Sequence, residues 1–159
     1  MAPVRWINGQ AQDLGGPELI GYTPVAINKV GQILLHRIDT SGGNYRDQAA
    51  VWFNGILTRI DPDAPLAGPP GHNSRIPTAI NNRGDVVGCG GFPFLWRQGV
   101  ISNLNDVLAA NQLATPNGNA LLCPSAINDQ GVILVNYAAS TSNISGWPDH
   151  GWVRLTPLP

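Results

Sequence analysis

The sequence predicts an all-β domain made of three four-stranded antiparallel repeat units and one surplus C-terminal strand. Three observations lead there. The first is a motif written three times, as Pro24-Val25-Ala26-Ile27-Asn28, Pro77-Thr78-Ala79-Ile80-Asn81 and Pro124-Ser125-Ala126-Ile127-Asn128, each with a glycine three residues on (Gly31, Gly84, Gly131). The second is an aromatic strand running into an x-Gly turn: Trp6-Ile7-Asn8-Gly9, Trp52-Phe53-Asn54-Gly55 and Trp96-Arg97-Gln98-Gly99. The third is composition. Gly 19 and Pro 14 in 159 residues are high, yet a hydrophobic content of 43% is too large for disorder, and many short strands joined by tight turns account for both.

The tryptophan hairpin is the first element. Asn-Gly between apolar runs is a strong hairpin signal, because a type I′ turn needs positive φ at both central residues. The Ile-Asn hairpin follows. Proline stands near the strand start, where its missing N–H does least harm. Asparagine opens the turn by bonding nearby backbone, and glycine supplies the positive φ. The strands that leave these turns (Ile33-Leu34-Leu35, Val86-Val87, Val132-Ile133-Leu134-Val135) are apolar without alternation, so both faces are expected to be covered.

Paired in that order, the hairpins give units at about 4–36, 50–89 and 94–136, with a last strand at 151–155. The Ile-Asn motifs start 53 and 47 residues apart. Four strands in about 40–50 residues is the size of a propeller blade, so three units make a partial or half β-propeller. The last strand, Gly151-Trp152-Val153-Arg154-Leu155, is expected to pair with the first or to be lent to a partner. Between hairpins, residues 37–48, 61–77 and 138–150 read as irregular, the second with five prolines. Asn105–Ala110 reads as a turn or two of helix capped by Asn105.

Closed propellers usually have about four to eight blades. An open array of three leaves strand edges and an uncovered core face at its ends. The expectation is therefore a homodimer, either of two facing half-propellers or by exchange of the last strand, with a compact monomer as the alternative.

Only 12% of residues are charged, and the formal net charge is −1. One lysine, Lys29, and eight scattered arginines argue against a nucleic-acid partner. No apolar run approaches the ~18–20 residues of a membrane span. No basic-then-apolar leader precedes Val4-Arg5-Trp6, so a cytoplasmic chain is expected, with secretion as the alternative had a signal been removed. For Cys89 and Cys123 the plainer expectation is two buried thiols, and a single bridge is the other.

The run Ala79-Ile80-Asn81-Asn82-Arg83-Gly84-Asp85-Val86-Val87-Gly88, followed by Phe94-Leu95-Trp96-Arg97-Gln98-Gly99, resembles the bacterial HAF-type extracellular repeat. The likeness extends over nearly all of the chain except the loops. Where such repeats carry His-Ala-Phe, this chain has Gln48-Ala49-Ala50 and His150-Gly151-Trp152. The resemblance implies a propeller-like β architecture and no particular chemistry.

Function is sought where the copies differ. His36, Cys89 and Asn136 stand five residues after the three motif glycines, where polar groups could converge on a pseudo-axis. A Cys89–His36 pair could make a nucleophile, although strand ends are polar for ordinary reasons. Trp6, Trp52 and Trp96 repeat and read as packing residues, whereas Trp147, Tyr22, Tyr45 and Tyr137 do not repeat and are the better ligand contacts. His36, His72 and His150 lack ligand spacing, so no metal and no cofactor is expected. No Gly-x-Ser-x-Gly elbow and no phosphate loop is present, and no catalytic residue can be named. Two functions fit. One is a module binding a small molecule or glycan in a loop-lined, partly aromatic pocket at a dimer seam. The other is a cofactor-free cyclase or isomerase that shapes an apolar biosynthetic intermediate.

Overall fold

A computed structural model describes residues 3–40, 45–60, 74–115, 118–142 and 148–157. The described residues are all-β apart from one helix and short 3-10 turns. Strands β1 (Val4–Ile7) and β2 (Gln10–Asp13) form a hairpin on their own. The first four-stranded sheet is β3 (Thr23–Ile27), β4 (Ile33–Asp39), β5 (Arg46–Phe53) and β6 (Ile56–Ile60), in that order. The second is β7 (Ile76–Ile80), β8 (Val86–Cys89), β9 (Phe94–Arg97) and β10 (Val100–Asn103). After helix α1 (Leu104–Ala110), β11 (Leu121–Ile127), β12 (Ile133–Ser142) and β13 (Pro148–Leu155) make a three-stranded sheet. All pairings are antiparallel.

The sheets are phased differently from the expected units. The first two Ile-Asn hairpins each share a sheet with the tryptophan hairpin that follows, not the one that precedes, and the third shares its sheet with the single strand β13. The described residues therefore hold two four-stranded sheets, one of three strands and one of two. β13 pairs with β12, Ile133 opposite Leu155, and not with β1. The intervals expected to be irregular are shorter than the sequence suggests, because β4 runs to Asp39, β5 starts at Arg46, and β12 reaches Ser142. Most of the proline-rich stretch (61–73) lies outside the described residues.

The turns follow their sequence signals. Asn8 and Gly9, Asn54 and Gly55, and Gln98 and Gly99 all have positive φ, the type I′ requirement. In the other hairpins the side-chain carbonyl of Asn28, Asn81 and Asn128 accepts from the backbone four residues on, at 2.9 Å in each case. Each Pro-x-Ala carries a register shift, so the repeated proline sits beside a bulge (Val25, Thr78 or Ser125) in all three copies.

The sheets stack face to face, with alternate residues of each central strand serving opposite layers. Ile33 and Leu35 join Leu14, Leu19, Tyr22 and Trp52 in one layer. Leu34 faces the other way, with Val51, Val86 and Phe94. Val87 in turn meets Leu104, Leu121, Ile133 and Val135. Unbroken apolar runs are thus buried on both faces, each Leu or Val contributing about 1.5–3 kcal/mol. The exception is Leu134, which is 42% exposed on the outer face of the third sheet.

Candidate ligand site

A cleft of about 570 Å³ opens between α1, the second sheet and β13. α1 is capped by Asn103, whose side chain accepts from the Asn105 N–H at 3.0 Å, so the cap lies two residues before the one expected. Asn105 instead clasps Leu121, accepting from its N–H at 2.8 Å and donating to its carbonyl at 3.3 Å, which ties the helix to β11. The helix ends in a Schellman turn. Gln112 takes φ 54°, and the Leu113 N–H returns to the Leu108 carbonyl at 2.9 Å. Leu108 and Leu113 are thereby brought to one wall.

Leu104, at 3% exposure, anchors the helix in the core, while Val107 is 42% exposed. Leu95, Ile133, Val153 and Leu155 line the sheet side, and the polar lining includes Arg97, Asn111, Thr115 and Arg154. Among the described residues no carboxylate, histidine or cysteine side chain lines the cleft.

Arg97 holds the buried Asp85 in a two-pronged pair, Nε to Oδ1 at 2.9 Å and Nη2 to Oδ2 at 3.1 Å. Arg83 Nη2 donates to the same carboxylate at 3.0 Å and Asn81 Nδ2 at 2.8 Å. Burial pushes the Asp85 carboxyl up. Hydrogen bonds from Arg97 and Asn81, with the charges of Arg97 and Arg83, more than offset it and hold the group below its ordinary value. Two guanidiniums sharing one carboxylate leave the group net positive, and Arg97 carries that charge to the cleft wall.

The sequence-predicted site residues do not gather here. Cys89 is bridged to Cys123 with Cα atoms 5.0 Å apart, joining the second sheet to the third. The bridge removes the thiol that a Cys89–His36 dyad needs, and the expectation of two buried thiols is corrected with it. Asn136 lies by the same bridge, accepting from the Cys123 N–H at 2.8 Å. His36 Nε2 is 2.8 Å from Asp47 Oδ1, and the Asp47 carbonyl accepts from the Arg75 N–H at 2.8 Å, connecting the first sheet to the second. The strand ends thus work as fasteners between sheets. Tyr22 is buried with Arg37 over its ring at 4.9 Å, Tyr137 packs in the third layer, and Tyr45 is exposed. Trp147 and His72 lie outside the described residues. Among the described residues no three His, Cys, Asp or Glu side chains are grouped to hold a metal, and no helix is long and apolar enough to cross a membrane.

The cleft was missed because its walls come from four separate segments. The available signal was Leu104, Val107 and Leu108, an apolar face at helical spacing that one packed side does not use up. No family model, curated protein or solved structure matches the chain.

Proposed function

We propose that this protein is a binding module that takes a small, largely apolar organic molecule into the cleft between α1 and β13. The observation carrying this reading is the lining: aliphatic walls from Leu95, Leu108, Leu113, Val153 and Leu155, with arginines as the charged groups. Aliphatic walls favour an organic ligand over a glycan, which stacks best on aromatic rings. Arg97 favours a ligand bearing a negative group. Shape-directed cyclisation would use the same apolar walls, but among the described residues no carboxylate, histidine or cysteine side chain lines them, which favours binding over proton-transfer chemistry. The three repeated turns and stacked sheets, with the HAF-type resemblance, support reading the array as an arc of a propeller. The Cys89–Cys123 bridge supports an oxidising compartment, and with it the secreted alternative over the cytoplasmic one.

Titration with anilinonaphthalene sulfonate, an apolar anion that fluoresces when shielded from water, tests the site. Saturable binding is expected in the parent protein, weakened about tenfold or more in Val107→Glu, a charge placed in the apolar wall. Equal affinity in a folded Val107→Glu variant would remove the cleft as the site.

A further inference from the structure

We propose that the two ends of the sheet stack join head to tail, the outer face of the third sheet receiving the β1–β2 hairpin of a second copy of this chain. Strand register makes the repeat positions comparable. Ile33 lies opposite Trp52, Val86 opposite Trp96, and Ile133 opposite Leu155. One residue earlier on the same strands, Val51, Leu95 and Arg154 lie opposite Leu34, Val87 and Leu134. In the lone hairpin Trp6 and Arg5 occupy these same two positions, since Trp6, Trp52 and Trp96 each stand two residues before the first positive-φ residue of their turn.

Each position has a fixed direction. Trp52 and Trp96 look back toward the preceding element, and Leu34 and Val87 look forward into the next sheet. Forward-facing Leu34 and Val87 are 0% exposed, while their equivalent Leu134 is 42% exposed and is joined by Trp152 at 60%. Backward-facing Trp52 is 4% exposed, while Trp6 is 72% exposed beside Val4. Each end of the stack is therefore one half of an interface that the chain already makes internally, and the halves are complementary.

The charge at the seam fits as well. Inside the chain, forward-facing Arg5 lies over the backward-facing Trp52 ring at 5.2 Å. Arg154 holds the Arg5 position on the third sheet, and Trp6 of a second copy holds the Trp52 position. Joined head to tail, Arg154 covers Trp6 as Arg5 covers Trp52, and Leu134 becomes buried as Leu34 is. Such a contact uses different patches on the two copies, and a pair related by a two-fold axis makes it twice when each stack spans half a turn.

Sedimentation velocity over the micromolar range tests this, with far-UV circular dichroism to confirm folding. The parent chain is expected to dimerise. Trp6→Glu and Trp152→Glu, each spoiling one end, are expected to be monomeric alone and to form a two-chain species when mixed, because each brings the intact end the other lacks. Val4→Glu and Arg154→Glu serve as the second pair, since both residues are exposed at the same two ends. A parent chain that stays monomeric, a folded variant that dimerises alone as the parent does, or a mixture that does not associate would overturn the proposal.

Discussion

The side-chain amide of Asn28 donates to the main-chain carbonyl of Asn81 at 2.8 Å, and Asn81 repeats the bond to Asn128 at 3.0 Å. A turn that would be closed by its own asparagine in an isolated hairpin is also fastened to the turn of the next sheet. The residue after each asparagine reinforces this: Lys29 N–H donates to the Asn82 side chain, and Asn82 N–H to Asp129, at 2.8 and 2.9 Å. Contacts between residues 53 and 47 apart thus reproduce the spacing of the motif itself.

The middle rung should matter most. Asn81 is 3% exposed, accepts from the Arg83 and Asp85 N–H groups, and donates to Asp85 and Asn128. Asn81→Ala leaves several buried groups without partners and should cost about 2–4 kcal/mol. Asn128→Ala, at the exposed last rung, should cost about 1 kcal/mol. Urea unfolding of the two variants checks the order, and equal losses would show that the ladder does not hold the sheets together.

The motif's local role was legible because asparagine and glycine act within five residues of themselves. The spacing between copies also foretold repetition. Which hairpins share a sheet was not legible, since either phase satisfies the same alternation of motifs. The difference lies in the links: β4 reaches β5 through residues 40–45, whereas Leu14, Leu19 and Tyr22 lie between β2 and β3 and cap the first sheet's face. The partners of Cys89 and His36 were hidden for a related reason. Cys89 and His36 match each other across the repeat, but they bond to Cys123 and Asp47, which are not equivalent positions.

The bridge between Cys89 and Cys123 closes a loop of 34 residues that spans α1 and the start of the third sheet. Chain-entropy reasoning assigns such a loop about 3–4 kcal/mol. Denaturant midpoints measured with and without reductant should differ accordingly. Thiol titration of the unreduced, denatured protein should find no free thiol.

Asp85 makes stability sensitive to acid. Its carboxyl lies below its ordinary value of 3.8 in the folded chain. The linked stability is therefore fully present above that value and is lost as pH falls through the lower folded one. Asp85→Asn should remove this dependence and leave Arg83 and Arg97, both partly exposed, to repel each other without the carboxylate they share. A loss of about 1–3 kcal/mol at neutral pH is expected, below the cost of breaking a wholly buried pair. Unfolding curves at neutral pH and at pH near 3 check the sign: the gap between parent and variant should narrow in acid.

Core volume is balanced across strands rather than fixed residue by residue. The equivalent cross-strand pairs are Leu35 with Ala50, Gly88 with Phe94, and Val135 with Val153. Large faces small, small faces large, and medium faces medium, so each layer keeps similar filling. In the second sheet the Phe94 ring lies where a Gly88 side chain would go, and a Cβ there would also meet the Ile76 carbonyl. Gly88→Ala should therefore destabilise by about 1–3 kcal/mol through overpacking. Phe94→Ala should cost about 3–5 kcal/mol by leaving a cavity. Gly88→Ala combined with Phe94→Leu relieves the ring contact and should lose less than the sum of its two single changes. A double-mutant cycle from thermal or urea unfolding measures the coupling. Strict additivity would mean that the two strands are filled independently and that the repeat constrains each position alone.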